Sequence, residues 1–230
     1  MKLKSFGCSF IFGTDLRDHN RGVPYVTYDT SSQLTWPALL AKDLGYDYQC
    51  HARPGSGNLR ILEKVLTQSG ESFPTDVFVI GWTWTDRFDY TVDPTGRDHV
   101  CDLAGHNLWK TITPMATDSV AQLYYQDLHS EFRDKLTTLI NIKTAIDTLR
   151  QKNISFIMTY IDDLIFETRF HTTPAILNLQ EYIRPYMTQF NNKTFLEFSK
   201  EKGFPISETL HPLEDAHQAA FELIRSYNLV

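Results

Sequence analysis

Neither a disulfide framework nor a membrane span is written into this chain. Its 230 residues contain three cysteines, Cys8, Cys50 and Cys101, an odd and sparse set that points to a reducing compartment. No stretch reaches the roughly twenty apolar residues of a transmembrane helix. Met1-Lys2-Leu3-Lys4 leads into a segment broken by Ser5, Gly7 and Ser9, without the length or cleavage pattern of a signal peptide. A soluble, cytoplasmic protein is the expectation. An excess of basic charge is missing too: 28 Asp and Glu stand against 22 Lys and Arg, scattered rather than gathered into a stripe. That balance argues against nucleic acid or an anionic membrane as partner and favours a neutral small molecule or a carbohydrate. Repeats, low-complexity stretches and linkers are absent as well, so one domain over residues 1–230 is expected, long enough for an ample core.

What is present is an alternation of strand and helix signals. Residues 2–8 read as a strand, and residues 32–44 as a helix with Leu34, Leu39, Leu40 and Leu44 at helical spacing and Gly45 as its stop. A short strand at 48–52 and a helix at 57–67 follow. The continuous apolar run of Val77-Phe78-Val79-Ile80, between Pro74 and Gly81, is what a strand covered on both faces requires. Periodicity is poor from 82 to 126, which reads as a long irregular insertion of the kind that lines a site. A long helix over 127–151, a strand over 154–160 and helices near 175–190, 193–202 and 212–227 complete the chain, the last with Pro212 in its first turn. This order predicts an α/β fold, a three-layer α/β/α sandwich with a mostly parallel central sheet of flavodoxin-like type.

In such sheets ligands bind outside the carboxyl ends of the strands, and the polar clusters fall there: Ser9 after the first strand, Pro54-Gly55-Ser56-Gly57-Asn58 after the second, Trp82-Thr83-Trp84-Thr85-Asp86-Arg87 after the third. Acyl transfer needs a nucleophile, a base and donors for a developing oxyanion. Ser9, between Gly7 and Gly13, supplies a hydroxyl, and its backbone N–H one oxyanion donor. His211, before Pro212, has the pKa range for general-base work, and Glu208 stands ready to hold its far ring nitrogen. Glu214 and Asp215 are the fallback acids, and His217, inside the last helix, reads as a packing or capping residue. Gly55 and Asn58 are oxyanion candidates, Thr83 a weaker one, and Trp82, Trp84 and Arg87 form a candidate substrate-binding wall. Each also has a plain structural reading: Ser9 as strand end or helix cap, 54–58 as an ordinary turn, the tryptophans as packing.

Taken in order, these residues resemble the SGNH, or GDSL-like, hydrolases. Gly7-Cys8-Ser9-Phe10 matches that family's first block, with Cys8 in the place of the usual aspartate, in the manner of a Gly-Cys-Ser-Phe branch. Pro54 to Asn58 resembles the second block, Ile80-Gly81-Trp82-Thr83 falls at the third, and His211-Pro212 resembles the closing one. Thr83 stands where the family has its oxyanion asparagine, leaving that donor to the Thr83 hydroxyl or to Asn58. Glu208 stands where the family has aspartate, as a longer acid or beside a Ser–His dyad. The resemblance implies esterase, deacetylase or lipase chemistry on a carboxylic ester, such as an O-acetyl group on a carbohydrate, without metal or cofactor. Ser9 would attack and form an acyl-enzyme, with His211 as base. Rival readings are a thiol enzyme using Cys8, a metal site at Asp98, His99, Cys101 and His106 whose spacing fits no strong zinc pattern, and a non-catalytic carbohydrate-binding or assembly protein on the same scaffold. Tyr90, His99, His106 and Trp109 would suit an O-acetylated sugar at least as well as a lipid chain.

Overall fold

The computed structural model describes residues 1–19, 31–92 and 109–229. Four strands, β1 (Lys2–Phe6), β2 (Asp47–Cys50), β3 (Val77–Trp82) and β6 (Ser155–Tyr160), pair in parallel in the order β2-β1-β3-β6. The central strand β3 is buried along its whole length, as its unbroken apolar run requires. Beyond β6 the chain returns at Met187, where a parallel bridge to Met158 and the Thr188 N–H on the Met158 carbonyl (2.7 Å) begin a fifth position.

Side-chain alternation along the strands divides the core into two layers. Phe6, Phe78, Ile80, Trp82, Met158 and Tyr160 face α3 (Asn58–Gly70), α5 (Glu131–Gln151) and α6 (Pro174–Ile183). Leu3, Val77, Val79 and Ile157 face α1 (Ser9–Phe12), α2 (Trp36–Leu44), α7 (Phe195–Glu201) and α8 (Glu214–Ser226). The result is the expected three-layer α/β/α arrangement. Local signals agree with it. Thr194 and Glu197 form a reciprocal capping box on α7, and Gly45 closes α2 in the left-handed conformation (φ 69°).

Element boundaries shift where local chemistry differs from periodicity. Helix α2 starts at Trp36, not residue 32, with Pro37 in its first turn. Pro212 precedes α8 instead of opening it, because it bridges to Ile206 and Leu213 takes the N-cap place. The described parts of the segment from 82 to 126 are more regular than expected: Trp82 completes β3, and β4 (Phe88–Thr91) pairs antiparallel with β5 (Trp109–Ile112). A short α4 (Ser119–Leu123) follows, running into a π-helical turn at Tyr124–Leu128. No helix among the described residues is long and apolar enough to cross a membrane.

Candidate active site

The strand ends at Phe6, and Cys8 in extended conformation caps the single turn α1, whose first residue is Ser9. Strand alternation therefore does not reach Ser9, and Cys8 and Ser9 are both buried. Two glycines make the floor under α1. A Cβ at Gly7 would lie 2.6 Å from Ile11 Cγ1, and one at Gly81 on β3 would lie 2.7 Å from the same atom. Only bare backbone at both positions lets Ile11 seat, and Ile11 holds the turn carrying Ser9 against the sheet.

Gly13 closes α1 in the left-handed region (φ 84°), its N–H on the Ser9 carbonyl at 2.9 Å. Asp15 repeats that conformation (φ 73°), which aspartate tolerates better than most side chains, and the chain folds back toward the loop before α8. There Asp15 Oδ2 accepts hydrogen bonds from Ser207 Oγ (2.8 Å), from the Thr209 hydroxyl and from His211 Nδ1 (2.9 Å). The loop is closed by the Ser207 N–H on the His211 carbonyl (2.9 Å), by the His211 N–H on Ser207 Oγ (3.1 Å) and by Leu210 at φ 66°. Burial opposes ionisation of Asp15, but the bonds from Thr209, Ser207 and His211 outweigh it and bring its pKa down to about 2. With the carboxylate accepting from Nδ1–H, the Nε2 of His211 keeps its lone pair. The ring meets Phe10, the neighbour of Ser9, edge-on at 5.5 Å.

The acid beside His211 is therefore Asp15 and not Glu208. Glu208 lies at the outer corner of the closed 207–211 loop and is exposed. Glu214 is engaged elsewhere, accepting from the Arg17 N–H at 2.7 Å, and Asp215 is exposed. His217 is buried, and its Nδ1 accepts the Trp36 N–H at 3.1 Å, so it caps α2 from outside. Burial, and then the charge of His211, bring its pKa down to about 3.

The glycine loop docks on the same edge, the Arg53 N–H on the Gly7 carbonyl at 2.9 Å. Gly55 is exposed in left-handed conformation (φ 77°) with open space around it. Gly57 is pressed against Asp89, which accepts from the Gly57 N–H (3.0 Å), the Arg60 N–H (2.9 Å) and Thr111 Oγ1 (2.6 Å) and so caps α3. Asn58 is not a free oxyanion donor. Its amide nitrogen bonds the Thr83 carbonyl (3.1 Å) and Thr138 Oγ1 (3.2 Å), and its oxygen accepts the Thr83 N–H (2.8 Å), so it locks the end of β3 to α3. Thr83 is fully buried, and its hydroxyl has no hydrogen-bond partner among the described residues.

Trp82 is no part of a substrate wall either: it continues the apolar face of β3 and is fully buried against α3 and α5. Trp84 and Arg87 do come to the site. The Trp84 ring meets Phe10 at 5.7 Å, and the Arg87 guanidinium lies 4.7 Å over Trp84 and donates to the Ser56 carbonyl at 2.9 Å. Among the described residues no cluster of His, Cys, Asp or Glu is arranged to hold a metal ion; Asp98, His99, Cys101 and His106 lie outside the described residues. Tyr90 and Trp109 sit on the β4–β5 hairpin.

No protein-family model and no curated protein sequence matches this chain. Solved structures do. A carbohydrate esterase family 2 enzyme with a carbohydrate-binding domain, from Corynascus thermopiles (Myceliophthora fergusii), superimposes with a TM-score of 0.53 at 15% identity, over 98% of this chain and 64% of that one. An acetyl xylan esterase from the rumen bacterium Butyrivibrio proteoclasticus gives 0.51 at 17% identity, over 98% of this chain and 62% of that one. A member of the lipolytic G-D-S-L family from Veillonella parvula DSM 2008 gives 0.49 at 12% identity, over 98% and 96%. This chain thus spans less than two thirds of the two carbohydrate esterases. In architecture it shares the fold of these two esterases.

Proposed function

We propose that this protein is a serine esterase in which Ser9, His211 and Asp15 form the catalytic triad. The observation that carries the reading is the bond from His211 Nδ1 to Asp15 Oδ2 at 2.9 Å, beside the helical turn that holds Ser9. Asp15 fixes the tautomer, so Nε2 takes the proton as Ser9 Oγ attacks the ester carbonyl. The backbone N–H groups of Ser9 and Gly55 receive the oxyanion, with the unpartnered Thr83 hydroxyl as a third donor after a small local shift. Collapse of the tetrahedral intermediate expels the alcohol, protonated by His211, and leaves Ser9 acylated. Water, deprotonated by His211, then releases the acid and restores the serine.

The substrate we infer is an O-acylated carbohydrate. Trp84 offers an aromatic face and Arg87 a planar donor at the mouth, and the fold is shared with proteins described as carbohydrate esterases. A fluorophosphonate probe followed by peptide mass spectrometry is the test. Labelling of Ser9, with nitrophenyl acetate turnover lost in Ser9→Ala, is the expected result; labelling elsewhere, or turnover that survives the substitution, overturns the assignment.

A further inference from the structure

Between α3 and α5, in the layer opposite α1, lies a cavity of about 250 Å³. Leu59 and Phe88 give its wall apolar surface, but six buried polar residues, Asn58, Thr85, Asp89, Asp134, Thr138 and Asn141, also line it, none more than 6% exposed. Asp134, Thr138 and Asn141 follow one another on a single face of α5.

Most of these groups are already answered. Thr85 Oγ1 donates to Asp162 (2.8 Å), Asp89 has the donors named above, and Asn58 is saturated by the end of β3 and Thr138. Asp134 accepts from Tyr124 (3.0 Å) and Arg133 (3.1 Å) and faces His129 Nε2 at 3.1 Å, so its charge is balanced within the wall. Asn141 is the exception. Only 5% exposed and lining the cavity, its side chain makes no hydrogen bond among the described residues. Its amide opens onto the cavity, where water can satisfy it, so a ligand that displaces that water must supply both a donor and an acceptor. Thr138 adds a hydroxyl proton, since its oxygen already accepts from Asn58. Arg87 reaches the cavity from the other side while stacking on Trp84, whose ring touches Phe10 beside Ser9.

The two arginines of the wall, Arg87 and Arg133, balance its two carboxylates, Asp89 and Asp134, and a wall of donors and acceptors with no net charge calls for a neutral, hydroxylated ligand. The volume is below the ~300–1,000 Å³ of pockets for larger organic ligands, which limits the occupant to about one ring. We propose that this cavity is a sugar subsite, holding one neutral monosaccharide unit of the ester substrate through Asn141, Thr138 and Arg87. The proposal rests on the esterase reading for its role, while binding itself is tested without catalysis.

The full chain is titrated calorimetrically with methyl xyloside, glucuronate and glucosamine as neutral, anionic and cationic probes. The expected result is saturable binding of methyl xyloside, weakened about tenfold in Asn141→Leu, the loss of roughly 1.4 kcal/mol of hydrogen bonding. Since the Asn141 side chain bonds nothing among the described residues, the thermal midpoint of the variant should hold; Asn141→Ser serves if it does not. Absence of methyl xyloside binding, tighter binding of a charged probe, or undiminished affinity in both variants overturns the subsite. Nitrophenyl acetate turnover measured alongside separates the two readings. Turnover without glycoside binding removes the subsite alone, and glycoside binding without turnover removes the esterase alone.

Discussion

Replacing Asp15 by asparagine keeps the shape of the turn and removes the charge that receives His211 Nδ1–H, Ser207 and Thr209. An amide at this place can offer its own N–H to Nδ1, which moves the ring proton to Nε2 and leaves no base facing Ser9. The comparable exchange in a serine protease triad lowers kcat by about 10⁴. Because the imidazole and carboxylate here are each 14% exposed and partly solvated, we expect a smaller loss, about 10²–10³ in kcat with KM little changed. Folding suffers too. Hydrogen bonds to a charged acceptor contribute roughly 1.5–3 kcal/mol each when buried, and solvent at this rim reduces the total to about 2 kcal/mol, or roughly 4–8 °C for a chain of this size. The lowered pKa of Asp15 gives that contribution a sign: it is complete above about pH 4 and is lost as pH falls through about 2. Steady-state turnover of nitrophenyl acetate at 20 °C, where both proteins are folded, measures the catalytic effect. Glu208→Gln is the control and should stay within about twofold of the parent. A loss in Glu208→Gln equal to that in Asp15→Asn, or an Asp15→Asn enzyme within threefold of the parent, refutes the assignment.

Three further outcomes are expected. Gly81→Ala brings a Cβ to 2.7 Å from Ile11 Cγ1 and should cost about 1–3 kcal/mol by overpacking. It should also lower turnover by shifting Ser9, and adding Ile11→Ala should recover part of both losses; a purely additive double mutant in thermal and kinetic assays would count against the two-glycine floor. His217→Asn keeps an acceptor for the Trp36 N–H and removes a group that stays neutral down to about pH 3 when folded but titrates near 6.5 when unfolded. Urea titrations should therefore show the parent losing up to about 1.4 kcal/mol per pH unit below pH 6.5 relative to the variant, and equal slopes would contradict the neutral cap. Asp89→Ala strands the N–H groups of Gly57 and Arg60. Unfolding by urea should become easier by about 3 kcal/mol, whereas a change under 0.5 kcal/mol, the usual range of surface substitutions, would mean α3 does not need this cap.

Strands β3 and β6 were legible as compact apolar runs and β1 as a short alternating segment before Gly7, and the parallel order follows from the helices between them. The hairpin of β4 and β5 was not, since its strands are only four residues each and far apart in sequence. Trp82 belongs to the run before it: continued by two residues, the burial of Val77 to Ile80 on both faces already places it in the core. Asn58 looked like a donor because nothing local reveals that the end of β3 folds back onto its amide. Asp15 is the instructive case. Glu208 won on spacing alone, three residues before His211, while the contact that forms joins residues 196 apart. The available signal was Gly13, which ends α1 and turns the next acid back over the serine. Spacing describes neighbours along a chain; a catalytic carboxylate answers to neighbours in space.

The proposed nucleophile and its acid sit within seven residues of each other, while the base comes from the loop before α8, 196 residues beyond the acid. All four strands of that sheet are complete by Tyr160, so the scaffold can pair before the 207–211 loop is placed. Closing a loop of this length costs only about 0.6 kcal/mol more than closing one half as long, but it comes late, once both ends are already ordered. Hydrolytic competence would then report on the final closure of the molecule, and a kinetic trace of regained turnover during refolding should lag the recovery of the sheet.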